Sequence, residues 1–112
     1  MKTEEAQLKE RVKKIFKEIG TSLYYHMPVQ NGMGAPSLDF ICCYQGRYFA
    51  VETKDSHKDL TLRQCFTRDQ IVTAGGIVFR VRNDNELMLL RKFLHSDNPW
   101  PHEGSFISDD TP

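Results

Sequence analysis

Apolar residues recur along the first segment, "TEEAQLKERVKKIFKEIG", at Leu8, Val12, Ile15, Phe16 and Ile19, the three-and-four spacing of one helix face. The pattern predicts a helix from Thr3 to Ile19, with Thr3 as its cap and Gly20 as its stop. At about 100° per residue, Glu5 falls close to the centre of the apolar stripe. Glu4 lies further off it, and Glu18 and Glu10 point progressively away. The period then changes to two. "SLYYHMP" is a short strand ending at Pro28, and "VQNGMGAPS" is a loop whose glycines and proline exclude regular structure. We expect that loop to be a flexible segment that moves over a substrate. "LDFICCYQGRYFAVETK" holds two apolar, β-rich runs around Gln45-Gly46, the signature of a hairpin with a two-residue turn. "TLRQCFTRDQIVTAGG" reads as a helix ending at Gly75-Gly76, "IVFRV" as a strand, and "DNELMLLRKFLH" as a last helix capped by Asn83 or Asp84. The order helix, strand, strand, strand, helix, strand, helix predicts a small α/β domain, a mixed sheet of about four strands flanked by helices. We place the domain at residues 1–95. The acidic residues 96–112 lack periodicity and are expected to be a loose tail, unless Trp100 docks on the body or on a second subunit.

The hairpin fixes a contact. If Gln45 and Gly46 form the turn, Tyr44 pairs with Arg47, Ile41 with Ala50, and Asp39 with Glu52. Opposed side chains on antiparallel strands have Cβ atoms about 4.5 to 5.5 Å apart, and Lys54 shares the face of Glu52 because strands alternate with period two. Two facing carboxylates repel and raise one another's proton affinity unless a cation sits between them. Mg²⁺, which takes hard oxygen ligands, is one such cation; Lys54 in a simple surface cluster is the other.

Composition narrows the class. With 112 residues, 39% hydrophobic and 27% charged, the chain suits one globular domain rather than a disordered segment. No apolar run approaches the roughly 20 residues of a membrane span, and "MKTEEAQLKE" lacks the apolar segment of a signal peptide. A cytoplasmic protein is expected. Cys42, Cys43 and Cys65 have no metal or redox spacing and read as packed thiols. The formal charge is zero, yet all 15 Lys and Arg precede residue 96, leaving residues 1–95 with fifteen cations against eleven acids, a surplus of +4. Such a body is compatible with a polyanionic partner.

The run "GAPSLDF", followed by "GRYFAVETK", "LTLRQ" and "AGGIVF", resembles the PD-(D/E)XK nuclease superfamily, and within it the small VRR-NUC-type nucleases of phages and bacteria. The resemblance implies a restriction-endonuclease-like core of order αβββαβ, here with a C-terminal helix added. It implies that Asp39 and Glu52 bind Mg²⁺ or Mn²⁺, that the carbonyl of Thr53 adds a ligand, that Lys54 is catalytic, and that Gln64 lies beside the site. Family members carry a further acid on the first helix, for which Glu5 is the choice by position and Glu4 the reserve. Many have Pro directly before the metal-binding Asp; here Leu38 stands there, with Pro36 three residues before Asp39. Thr61 to Gln64 also reads as a capping box, a structural role compatible with Gln64 facing the site.

Other side chains enter as candidates for nucleic-acid contact: Tyr24, Tyr25 and His26 on the first strand, His57, Lys58 and Arg63 near the pocket, and Arg80 and Arg82 after Gly-Gly. His95 and His102 show no metal spacing, and "NGMGAP" is no P-loop because Lys-Ser/Thr does not follow. The sequence thus points to a Mg²⁺-dependent endonuclease hydrolysing DNA phosphodiester bonds. By analogy it is a homodimer selective for branched DNA in phage DNA processing or recombination. The alternative is a nucleic-acid-binding module on a nuclease-like fold without chemistry. A purely structural domain would leave the opposed Asp39 and Glu52 without a reason.

Overall fold

The computed structural model describes residues 2–29, 37–97, 100–101 and 103–110. The first helix, α1 (Glu4–Ile19), starts where Thr3 accepts the Ala6 N–H and buries Leu8, Val12, Ile15 and Phe16. A single 3₁₀ turn leads into β1 (Leu23–His26), and the chain returns as β2 (Phe40–Tyr44). The "VQNGMGAPS" loop between them lies, save Val29 and Ser37, outside the described residues. Between β2 and β3 (Arg47–Thr53), Gln45 and Gly46 both take positive φ, 54° and 74°. This is the mirror-image turn that matches strand twist and favours glycine at its second position. It sets the expected register, Tyr44 with Arg47 through to Phe40 with Val51.

After β3 come α2 (Leu62–Thr73), β4 (Ile77–Val81) and α3 (Asp84–Leu94), the last capped by Asn83. The sheet is mixed and ordered β1-β2-β3-β4-β5, antiparallel across the first three strands and parallel across the last three. It has five strands rather than about four. The fifth, β5 (Ser105–Ile107), comes from the segment expected to be loose. Its approach depends on Gly104, where a Cβ would come within 1.9 Å of the Val72 carbonyl oxygen. Trp100 docks as well, edge-on to Phe93 at 4.7 Å and 5.9 Å from Phe49, and donates its ring N–H to Gln45 Oε1.

The two faces of the sheet carry different layers. Phe40, Phe49, Val51, Phe79 and Val81 pack with α1 and α3, while Ala50 and Val78 pack with Ile71 and Val72 of α2 and with Phe106 of β5. Covered on both sides, β4 is buried at all five positions. Among the described residues no helix is long and apolar enough to cross a membrane.

Candidate active site

The central hairpin and α1 bring three acids together at one end of the sheet. Glu52 lies on the α2 face, in step with Ala50 and one residue before the end of β3. Asp39 stands one step beyond the last β2–β3 pair, opposite Glu52 as the register requires. There, side chains replace the backbone ladder. The Asp39 N–H donates to Glu52 Oε1 at 2.9 Å, while the Thr53 N–H and hydroxyl donate to Asp39 Oδ2 at 3.1 and 2.7 Å. Glu5 arrives from the first turn of α1, and one carboxylate oxygen from each of Glu5, Asp39 and Glu52 lies within 4.8 Å of the others. Glu4, the reserve, accepts the Ser56 N–H instead.

The acids around this cluster are held by its neighbours. Gln64 fills both of the roles open to it: its Oε1 accepts the Thr61 N–H in a complete capping box, and its Nε2 donates to Glu52 Oε2 at 2.8 Å. Asp55 takes the Glu5 N–H at 3.0 Å, one of the free donors of the first helical turn. Lys54 forms no ion pair within 4 Å among the described residues, but its charge favours the ionised form of Glu52. Burial, then the charge of Asp39, pushes the Glu52 carboxyl up to about 8, with Glu5 adding to the effect and the Asp39 N–H and Lys54 opposing it. Such a carboxylate, 3% exposed, lacks a full counter-charge. An oxygen-only donor set with that deficit fits a hard divalent ion such as Mg²⁺.

Lys9 was invisible to the motif reading. Its ammonium lies 3.8 Å from Asp39 Oδ1. The signal for it was helical: Lys9 follows Glu5 by four residues and shares its flank.

Other candidates divide. Tyr24 and His26 are exposed on the sheet face that carries Asp39, whereas Tyr25 turns into the core against Phe16. His57 and Arg63 are exposed, Lys58 pairs with Asp55 at 3.6 Å, and His95 meets Glu18. His102 lies outside the described residues. Arg80 and Arg82, candidates for nucleic-acid contact, are instead taken up by the chain's own acids. Arg80, 1% exposed, is locked between Glu86, Asp59, Asp109 and Asp110 because the tail folds over it, and Arg82 pairs with Asp110 at 2.9 Å. The packed-thiol reading holds for Cys42, whose thiol pKa burial pushes up, and fails for exposed Cys43.

No family model and no curated protein matches the sequence. Among solved structures, one described as a VRR_NUC domain superposes with a TM-score of 0.67 over 80% of this chain and 95% of that one, at 20% identity. The chain has a VRR-NUC-type nuclease fold. At that identity the likeness speaks for the fold, and the chemistry has to come from the residues. In this VRR-NUC-type fold the acids stand where the central hairpin and α1 meet, with α2 supplying Gln64.

Proposed function

We propose that the protein is a metal-dependent endonuclease that hydrolyses DNA phosphodiester bonds. The observation that carries this reading is the convergence of Glu5, Asp39 and Glu52 within 4.8 Å around a buried carboxylate short of counter-charge. These three side chains, with the Thr53 carbonyl as a further donor, would hold Mg²⁺ or Mn²⁺. When bound, such an ion supplies Lewis-acid activation of water and of a phosphate oxygen.

The chain's own groups do the rest. Gln64 and the Asp39 N–H each occupy one Glu52 oxygen, which fixes the carboxylate plane while leaving each oxygen a second lone pair. Thr53 holds Asp39 differently, both of its donors falling on Oδ2 and leaving Oδ1, which Lys9 approaches. Lys54, whose charge acts on Glu52 and which forms no ion pair within 4 Å among the described residues, would stabilise negative charge on the phosphate or assist deprotonation of the attacking water.

The test is a cleavage panel of duplex, single-stranded and branched DNA with Mg²⁺, Mn²⁺ or EDTA. Asp39→Asn keeps an acceptor for Thr53 and Lys54→Met keeps the stem, so both should fold normally by circular dichroism and lose metal-dependent cleavage. Undiminished cleavage by either variant removes that residue from the mechanism. Salt-sensitive DNA binding by the wild type with no metal-dependent product would instead favour a binding module.

A further inference from the structure

The two flanks of α1 are charged differently. The flank toward α3 carries cross-helix pairs, Arg11 with Asp84 at 2.5 Å and Glu18 with Arg91 and His95 at 3.3 and 3.2 Å. The other flank is an i, i+4 row: Glu5, Lys9, Lys13, Lys17. It starts in the acidic cluster, and Lys9 touches Asp39. Lys13, Lys14 and Lys17 are exposed and have no carboxylate within 4 Å among the described residues; of the acids near them in sequence, Glu18 pairs with Arg91 and His95, and Glu10 pairs with Lys2 while feeling the charges of Lys13 and Lys14 from further off. These three lysines line an open cleft of about 530 Å³ between α1 and β1, whose other walls include Phe16, Leu23 and Tyr25.

We infer that the Lys9–Lys13–Lys17 row, with Lys14 beside it, is a binding track for the phosphate backbone of a nucleic-acid strand running to or from the acidic cluster. What lies at the end of the track rests on the nuclease reading above; the track itself rests on charge and spacing. Four residues of helix advance about 6 Å, so successive lysines can meet successive phosphates of an extended strand. The ammonium groups of Lys13, Lys14 and Lys17, hydrated point charges on flexible stems at a cleft lined by no acid, suit a polyanion held along its backbone and provide no means of reading bases. The track would therefore bind without sequence preference. It also gives α1 a second task beyond core packing, since one helix then presents both a metal-binding acid and the strand that acid acts on.

The experiment is binding without chemistry. Labelled duplex and single-stranded DNA are titrated with protein in EDTA over a series of NaCl concentrations, using the wild type, Lys13→Gln/Lys17→Gln, and Lys92→Gln on α3 as control. Each phosphate contact contributes about 0.9 to the slope of log affinity against log salt on duplex and about 0.7 on single strands. The double variant should therefore reduce the slope by about 1.8 or 1.4, with Lys92→Gln leaving it unchanged. An unchanged slope in the double variant, or a wild type with no salt-dependent binding, overturns the track. Cleavage by the wild type with unchanged slopes defeats the track alone. Lysine-dependent slopes in a protein that cleaves nothing defeat the nuclease reading alone.

Discussion

Glu52 sits in a conflict that the folded chain alone does not resolve. Its carboxyl is buried beside Asp39 and holds its proton up to about pH 8, against an ordinary value of 4.5. Because the folded pKa is the higher one, the group's stabilising contribution is complete below about pH 4.5 and is lost as pH rises through 8. Without metal, thermal stability should therefore fall between pH 5 and pH 8.5, by on the order of a few kcal/mol at the alkaline end. Mg²⁺ should restore it there and do little at pH 5, where a proton competes for the site. Calorimetric melts in EDTA and in Mg²⁺ across that range, with Glu52→Gln as a control that lacks this titration, check this. A wild type whose metal-free melting temperature matches the control's profile would remove Glu52 as the source. The contact behind this behaviour was legible in the sequence, since a Gln-Gly turn and period-two alternation leave one partner for Asp39. Lys9 was not legible in that way, because a lysine at the edge of an apolar stripe is ordinarily solvated, and only the folded hairpin brings Asp39 beneath it.

At the scale of elements, α2 couples helix capping to the site. Thr61 accepts the Gln64 N–H, Gln64 accepts the Thr61 N–H, and the other end of the same amide holds Glu52. Thr61→Ala should cost about 1 kcal/mol in urea unfolding, the usual worth of an N-cap. If Gln64 is oriented by the cap, Thr61→Ala should also lower cleavage, by less than Gln64→Ala does. The double variant should then be no worse in cleavage than Gln64→Ala, the non-additivity expected of residues that act through one another. Additive losses would show that capping and catalysis are separate. The capping box was readable from "TLRQ", and so were both helix stops and the tight turn, because each is written in local residue chemistry. The strand β5 was not. Three residues between Gly104 and Ser108 carry no periodicity, and their pairing is dictated by the open side of β4 and by the space beside Val72 that only a glycine can enter.

The whole molecule explains the charge asymmetry of the sequence. Cations in the body and acids in the tail suggested an external polyanion, yet part of the surplus is met internally, Asp109 and Asp110 closing over Arg80 and Arg82 some 30 residues away in sequence. Beneath them Arg80 Nε and Nη2 both donate to Glu86 Oε2, at 3.0 and 2.7 Å, in a pair with side chains 1% and 0% exposed. Glu86 also accepts the Arg82 and Asp109 N–H groups, so one carboxylate ties together β4, α3 and the chain after β5. Removing one member of such a pair leaves a buried charge without compensation, which costs about 3 to 5 kcal/mol, whereas replacing both by apolar side chains is often neutral or better. Arg80→Met should thus lower unfolding free energy by that amount at pH 7, a large share of the roughly 5–15 kcal/mol that holds a domain together. Arg80→Met/Glu86→Leu should recover part of the loss, short of the whole because the Arg82 and Asp109 N–H groups then lose Glu86 as acceptor. Asp110→Asn, removing a half-exposed partner, should cost far less than Arg80→Met. Urea unfolding of the four proteins separates the two roles the cluster has in the fold. A large loss in Asp110→Asn would make the tail's own ion pair the main fastener, and equal losses in the single and double Arg80 variants would show that the guanidinium packs the sheet rather than neutralising Glu86.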